Sequence, residues 1–158
     1  MSTVQPIPPG HHTLTPGIMV KGAARAIEFY KQAFGATEKG RMAGPAGSIM
    51  HAELLIGDSI LFLGDEAPGM GNPSPLTLNA TTVTLHIYTE DVDAMYKQAI
   101  AAGATERMPL MDQFWGDRYG QVTDPFGHAW GIATHKEDLT DAQMMERMKA
   151  AMAQMGSK

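Results

Sequence analysis

The chain has 158 residues, with 12 Lys and Arg against 17 Asp and Glu, a formal charge of −5 with six His taken as neutral. That length suits one domain or two small modules sharing a core, and 44% hydrophobic with 18% charged residues excludes a disordered or fibrous chain. The acidic balance without a Lys/Arg cluster argues against a nucleic-acid partner, and the absence of Cys removes disulfides, thiolate nucleophiles and iron–sulfur clusters.

Residues 1–12, MSTVQPIPPGHH, carry neither a basic start nor an apolar run, and read as a flexible arm without an export signal. No stretch approaches the ~20 apolar residues of a membrane span, so a cytoplasmic protein with no membrane contact is expected. His11 and His12, like His135 near the other end, read as solvated. An apolar strand over 14–20 leads into a helix over 23–34, where Ala26, Ile27, Tyr30 and Phe34 recur at helical spacing and Gly35 supplies the stop. Strands over Met50–Ile56 and Ile60–Leu63 flank Gly57-Asp58, a hairpin signal. Gly64 to Pro75 is rich in Gly and Pro and reads as a linker or mobile loop.

Past the linker the same order returns. A strand over 82–89 precedes a helix over 91–102, through Val92, Met95, Tyr96, Ala99 and Ile100 to Gly103. Strands over Arg118–Thr123 and Ala129–Thr134 flank the tight turn Asp124-Pro125-Phe126-Gly127. Tyr-Lys-Gln-Ala at Tyr30 recurs 66 residues on at Tyr96, and Gly-Ala-Thr-Glu at Gly35 recurs 68 residues on at Gly103, a slip of two residues in the second helix. The fold class is therefore α+β: two βαβββ modules whose sheets form a cleft. They make one domain over 13–136, with module one at 13–63, a linker at 64–80 and module two at 81–136. A separate amphipathic helix over 138–155 lies within the tail, 137–158. Thr140 and Gln143 make a capping box, and Met145, Met148, Met152 and Met155 form a stripe. With 13 Met in all, that stripe suits packing on its own domain, a dimer contact or a ligand lid.

Strand alternation sorts the candidate site residues. Val83, Leu85 and Ile87 share one face, and Thr82, Thr84, His86 and Tyr88 the other; His51, Glu53 and Leu55 oppose Met50, Ala52, Leu54 and Ile56. The aliphatic faces pack on helices and the polar, aromatic faces line a cleft. Phe114 and Trp115 offer flat surfaces for an aromatic ligand, which Asp117 and Arg118 can orient; the same residues equally suit a structural loop with Asp117 paired to Arg118. Trp130 reads as core. No phosphate loop, dinucleotide fingerprint or Gly-x-Ser-x-Gly occurs, and Glu53 with His51 is the one candidate acid–base pair on a shared strand face.

The paired modules, Ala-Ile-Glu-Phe-Tyr from Ala26 and Glu90-Asp91-Val92-Asp93-Ala94 resemble the glyoxalase/bleomycin-resistance (vicinal oxygen chelate) superfamily. Met50-His51-Ala52-Glu53-Leu54, Trp115 to Gly120, and Asp124 to Trp130 are similar to its PhnB-like branch. The resemblance implies a dimer, in some members with modules exchanged between chains, which the 64–75 segment would permit. It also implies, for the enzymes, one divalent metal held by His and Glu from the first and last strands of each module, acting as a Lewis acid. Carried over by spacing, those positions fall on Thr15, Leu61, Thr84 and Gly131, none of them a strong ligand. The expectation is thus a cofactor-free, metal-independent homodimer that binds a small aromatic or apolar ligand with His51, Glu53, Thr84, His86, Tyr88, Phe114, Trp115 and Arg118. One alternative is a lyase, isomerase or dioxygenase holding Zn, Mn, Ni or Fe on His51, Glu53 and His86. Another is a structural or regulatory module with a degenerate cleft.

Overall fold

One strand–helix–three-strand unit is built twice. The computed structural model describes residues 4–155; residues 1–3 of the expected arm, the tail 156–158 and the side chains of Gln154 and Met155 lie outside the described residues. The first unit comprises β1 (Gly17–Val20), α1 (Ala23–Phe34), β2 (Thr37–Ala43), β3 (Ile49–Ile56) and β4 (Ser59–Asp65). A short helix, α2 (Pro75–Leu78), precedes β5 (Thr84–Tyr88), α3 (Val92–Ala102), β6 (Thr105–Asp112), β7 (Asp117–Thr123) and β8 (Ala129–His135), and α4 (Asp141–Met155) ends the chain. Each unit makes one mixed sheet, in the orders β1-β4-β3-β2 and β5-β8-β7-β6, its first and last strands parallel and the rest antiparallel. Gly35 and Gly103 close the helices in the left-handed region, at φ 65 and φ 117, and α3 runs two residues further past Tyr96 than α1 does past Tyr30.

The helix ends explain two departures from the sequence reading. α1 has no capping side chain of its own; the Asp65 carboxylate instead accepts from the backbone N–H of Gly22 (2.9 Å), Ala23 (2.8 Å) and Ile49 (2.8 Å). β4 therefore extends to Asp65, beyond the expected Leu63. The Gly/Pro-rich segment after it is also tied down. Glu66 accepts from the N–H of fully buried Ser74 (2.9 Å), which caps α2, and hydrogen bonds from the Thr77 side chain first and then from Ser74 hold the Glu66 carboxyl down at about 2. At the N-terminal side, β1 begins only at Gly17, and Met50, expected on the buried face of β3, is 61% exposed because the pairing with β2 bulges beside it.

α1 and α3 pack on each other and on their own sheets, so the helix-bearing faces share one core. Phe29, Tyr30 and Phe34 of α1 meet Phe126 and Trp130 of the second unit, with ring centroids 4.6–6.2 Å apart where they touch. At its centre Asp124, 4% exposed, accepts from Tyr30 Oη (2.7 Å), Trp130 Nε1 (2.9 Å) and the N–H groups of Phe126 and His128 (2.9 Å each). His128 Nε2 also lies 3.0 Å from the Met19 carbonyl, and Gln98 Nε2 donates to the Gln32 carbonyl at 2.6 Å. α4 carries the expected capping box, Thr140 N–H donating to Gln143 Oε1 and Gln143 N–H to Thr140 Oγ1, but leaves Met145 and Met152 exposed. A hydrogen bond to a buried charge is worth about 1.5–3 kcal/mol. Tyr30→Phe is expected to lower the urea unfolding free energy by that amount, and no measurable change would show that the modules do not depend on this bond.

Candidate functional site

Among the described residues α1 and α3 pack on one face of each sheet, and polar and aromatic side chains gather on the other. On the second sheet, alternation along β5 and β7 puts His86 and Tyr88 beside Asp117, Tyr119 and Gln121. His86 stacks on Tyr119 (5.4 Å, 6°) and leans on Tyr88 (4.7 Å); Trp115 meets Tyr119 edge-on at 5.8 Å and Phe114 at 4.9 Å. Beneath these rings Asp117, 5% exposed, accepts from Tyr88 Oη (3.0 Å) and Trp115 Nε1 (3.2 Å) and lies 2.7 Å from His135 Nδ1. Asp138 lies 3.0 Å from His135 Nε2. An imidazole facing carboxylates on both nitrogens is held in its charged form, so the His135 pKa rises, first through Asp117 and then Asp138. Burial instead pushes the His86 pKa down, and the bond to Asp117 raises that of Tyr88.

On the first sheet His51 and Glu53 are neighbours, with Nε2 and Oε1 3.5 Å apart. The other carboxylate oxygen lies 3.9 Å from Nε2 of His11, whose ring packs on Phe62 at 5.6 Å; His51 packs on Phe62 at 4.9 Å. His11 is therefore not solvated, its side chain being 16% exposed. Between the modules lie two cavities that share Pro16, Leu85 and His86. One, of about 400 Å³, is lined also by Ile60, Ile87 and Tyr88; the other, of about 760 Å³, runs along β1 and β5 past Thr84 and Val83. The structure thus brings Thr84, His86 and Tyr88 to the cleft, and links Trp115 and Phe114 to Tyr88 through Asp117 and the stacked rings. His51 and Glu53 form a separate cluster with His11.

Arg118 departs from the expectation. It lies on the opposite face of β7 from Asp117, so the two do not pair; it donates to both oxygens of Asp93 at 2.7 Å and to Asp112 at 3.3 Å. These bonds push its pKa further up and fasten β7 to the start of α3, leaving no free guanidinium at the rings.

The sequence model of the Glyoxalase/Bleomycin resistance protein/Dioxygenase superfamily matches residues 10–132. This chain belongs to that superfamily. An uncharacterised protein of Mycobacterium tuberculosis is 44% identical over 146 residues, covering 90% of this chain and 84% of the relative. The crystal structure of TioX from Micromonospora sp. ML1 superposes with a TM-score of 0.62 at 26% identity, covering 78% of this chain and 98% of TioX. An Arabidopsis thaliana structure gives 0.63 at 28%, over 77% and 98%. A PhnB protein from Bacillus cereus shares the fold at a TM-score of 0.58 and 18% identity, over 78% and 99%.

The metal that enzymes of the superfamily hold does not fit the residues at its positions. In module two the place of the last-strand carboxylate is Gly131, paired with His86 across β5 and β8. A Cβ there would stand 2.8 Å from Tyr119 Cε2, 2.9 Å from its hydroxyl and 3.1 Å from His86 Nδ1, so the two rings fill the room a carboxylate needs. In module one, hairpin register puts Leu61 opposite Leu54 on the helix face, and Phe62 opposite Glu53 on the open face. Thr15 lies before β1, its hydroxyl donating to the His12 carbonyl at 3.4 Å; Thr84 pairs with Ala129 rather than Gly131. Among the described residues no three His, Asp or Glu side chains converge as a divalent ion requires.

Sequence reading missed Asp117 as an organising group, together with Tyr119, Phe62, His11 and His135. Extending alternation along β7 to Asp117 would have found the first two, on one face with His86. The two perturbed histidines give a direct check. By NMR, His86 is expected to titrate below, and His135 above, the ordinary 6.5. The His135 contribution to stability is then complete below pH 6.5 and lost as pH rises through its folded pKa, while the His86 contribution is lost as pH falls below 6.5. A reversed order of titration would contradict the assigned contacts.

Proposed function

We propose that this chain binds a small aromatic or apolar molecule in the cleft between its modules and sequesters it, without a metal and without chemical turnover. The observation that carries this reading is the cavity of about 400 Å³ whose wall includes Tyr88 and His86, the near edge of the ring cluster held by Asp117. Its volume is of the size that takes a small ligand, and its aliphatic wall of Ile60, Leu61, Leu85 and Ile87 suits a flat apolar one. Fixed rings lose little entropy on binding, which favours affinity over turnover. The rings filling the room at Gly131 favour this over the metal-dependent lyase, isomerase or dioxygenase.

Two copies pair through the open sheet faces. Met42, Met111 and Tyr88 are 48–64% exposed there, a larger apolar display than an isolated sheet face needs. A homodimer would cover them, with or without exchange of modules through the 64–75 segment, and a cytoplasmic location goes with this reading.

Aromatic compounds screened by tryptophan fluorescence against EDTA-treated protein test the reading. Binding is expected in the metal-free protein, weakened about three- to tenfold by Tyr88→Ala. Binding only after addition of Zn, Mn, Ni or Fe would replace it with the enzyme reading, and no binding at all with the structural or regulatory one. Sedimentation should give twice the 17.0 kDa chain mass, falling to the monomer in Met111→Glu; a monomeric wild-type protein would contradict the pairing.

A further inference from the structure

The cleft differs in charge from the rest of the surface. Among the described residues neither cavity between the modules has a Lys or Arg in its wall, and the wall of the smaller one includes Asp58. Cations nearby on the chain are occupied elsewhere: Arg118 by Asp93 and Asp112, Arg41 by Glu38, Lys31 by Glu28 and Glu38. Arg25 and Arg107 line depressions beside α1 and α2 instead. Asp58 stands in the exposed β3–β4 turn; its carboxylate accepts from Ser59 Oγ (2.8 Å), its carbonyl lies 3.2 Å from His12 Nε2, and among the described residues no Lys or Arg pairs with it. Burial keeps His86 in its neutral form, so it adds no positive charge.

An anion entering this space would shed water without gaining a counter-charge, and would do so beside a carboxylate. A cation meets Asp58 and the aromatic Tyr88 in the wall of the same cavity. We infer that the smaller cavity selects its ligand by charge, taking an aromatic amine or ammonium ion ahead of an uncharged ring and rejecting anions, with Asp58 as the selecting residue. This rests on the binding reading above and adds the charge class of its ligand.

Three probes of one ring size separate the two claims: naphthylmethylammonium, naphthylmethanol and naphthoate, titrated by calorimetry into EDTA-treated protein at low salt. The ammonium ion should bind about two- to fivefold tighter than the alcohol, with naphthoate weakest. Asp58→Asn should erase the advantage of the cation over the alcohol, and Asp58→Lys should bring naphthoate above the ammonium ion. Naphthoate binding as tightly as the ammonium ion, or a gap that survives Asp58→Asn, would overturn the charge selection and leave the binding reading standing. Failure of all three probes to bind would overturn both.

Discussion

The carboxylate of Asp124 is the constraint on which the two-module arrangement depends. A buried charge is tolerable only when its lone pairs are filled, and this one takes four donors, one of them the hydroxyl of Tyr30 from the other module. Three of those donors belong to the turn and strand that follow it, so the geometry of the β7–β8 turn and the position of α1 are set together. The aromatic cluster packs round that point, and the cleft between β1 and β5 inherits its shape from it. Loss of the Tyr30 bond therefore bears on the cleft as well as on stability.

Asp117 does for the open face what Asp124 does for the core. It holds Tyr88, Trp115 and His135 by one carboxylate, so rings from β5, from the 113–116 turn and from the end of β8 keep fixed places. The adjoining turn is locked too, since the Gly116 carbonyl accepts from Lys136 and Glu137. Fixed aromatic walls with their polar edges already satisfied suit recognition by shape and stacking. The same filling of space leaves no room at Gly131 for a carboxylate side chain.

Much of the fold was legible because its signals are local. The repeated tetrapeptides exposed the duplication, Gly35 and Gly103 marked the helix ends, and the boundaries of α1 matched to the residue. β2 and β6 were harder: Thr37–Ala43 and Thr105–Asp112 are exposed on both faces and bulged, so they carry no alternation. Of the site, His86 and Tyr88 followed from alternation along one strand. Arg118 misled because adjacency in sequence to Asp117 means opposite faces in a strand. His11 could not be found at all, since its contacts with Glu53 and Phe62 join segments far apart in the chain. The place of Phe62 turned on hairpin register, which fixes whether position 61 or 62 faces the helix.

The measurement that tests the central claim most directly is an amide chemical-shift map of metal-stripped protein titrated with a bound aromatic probe. The expected result is a set of saturable shifts centred on Leu85, His86, Tyr88 and Ile60, unchanged when a divalent metal is added. Shifts centred on His51 and Glu53 that arise only with metal present would contradict it.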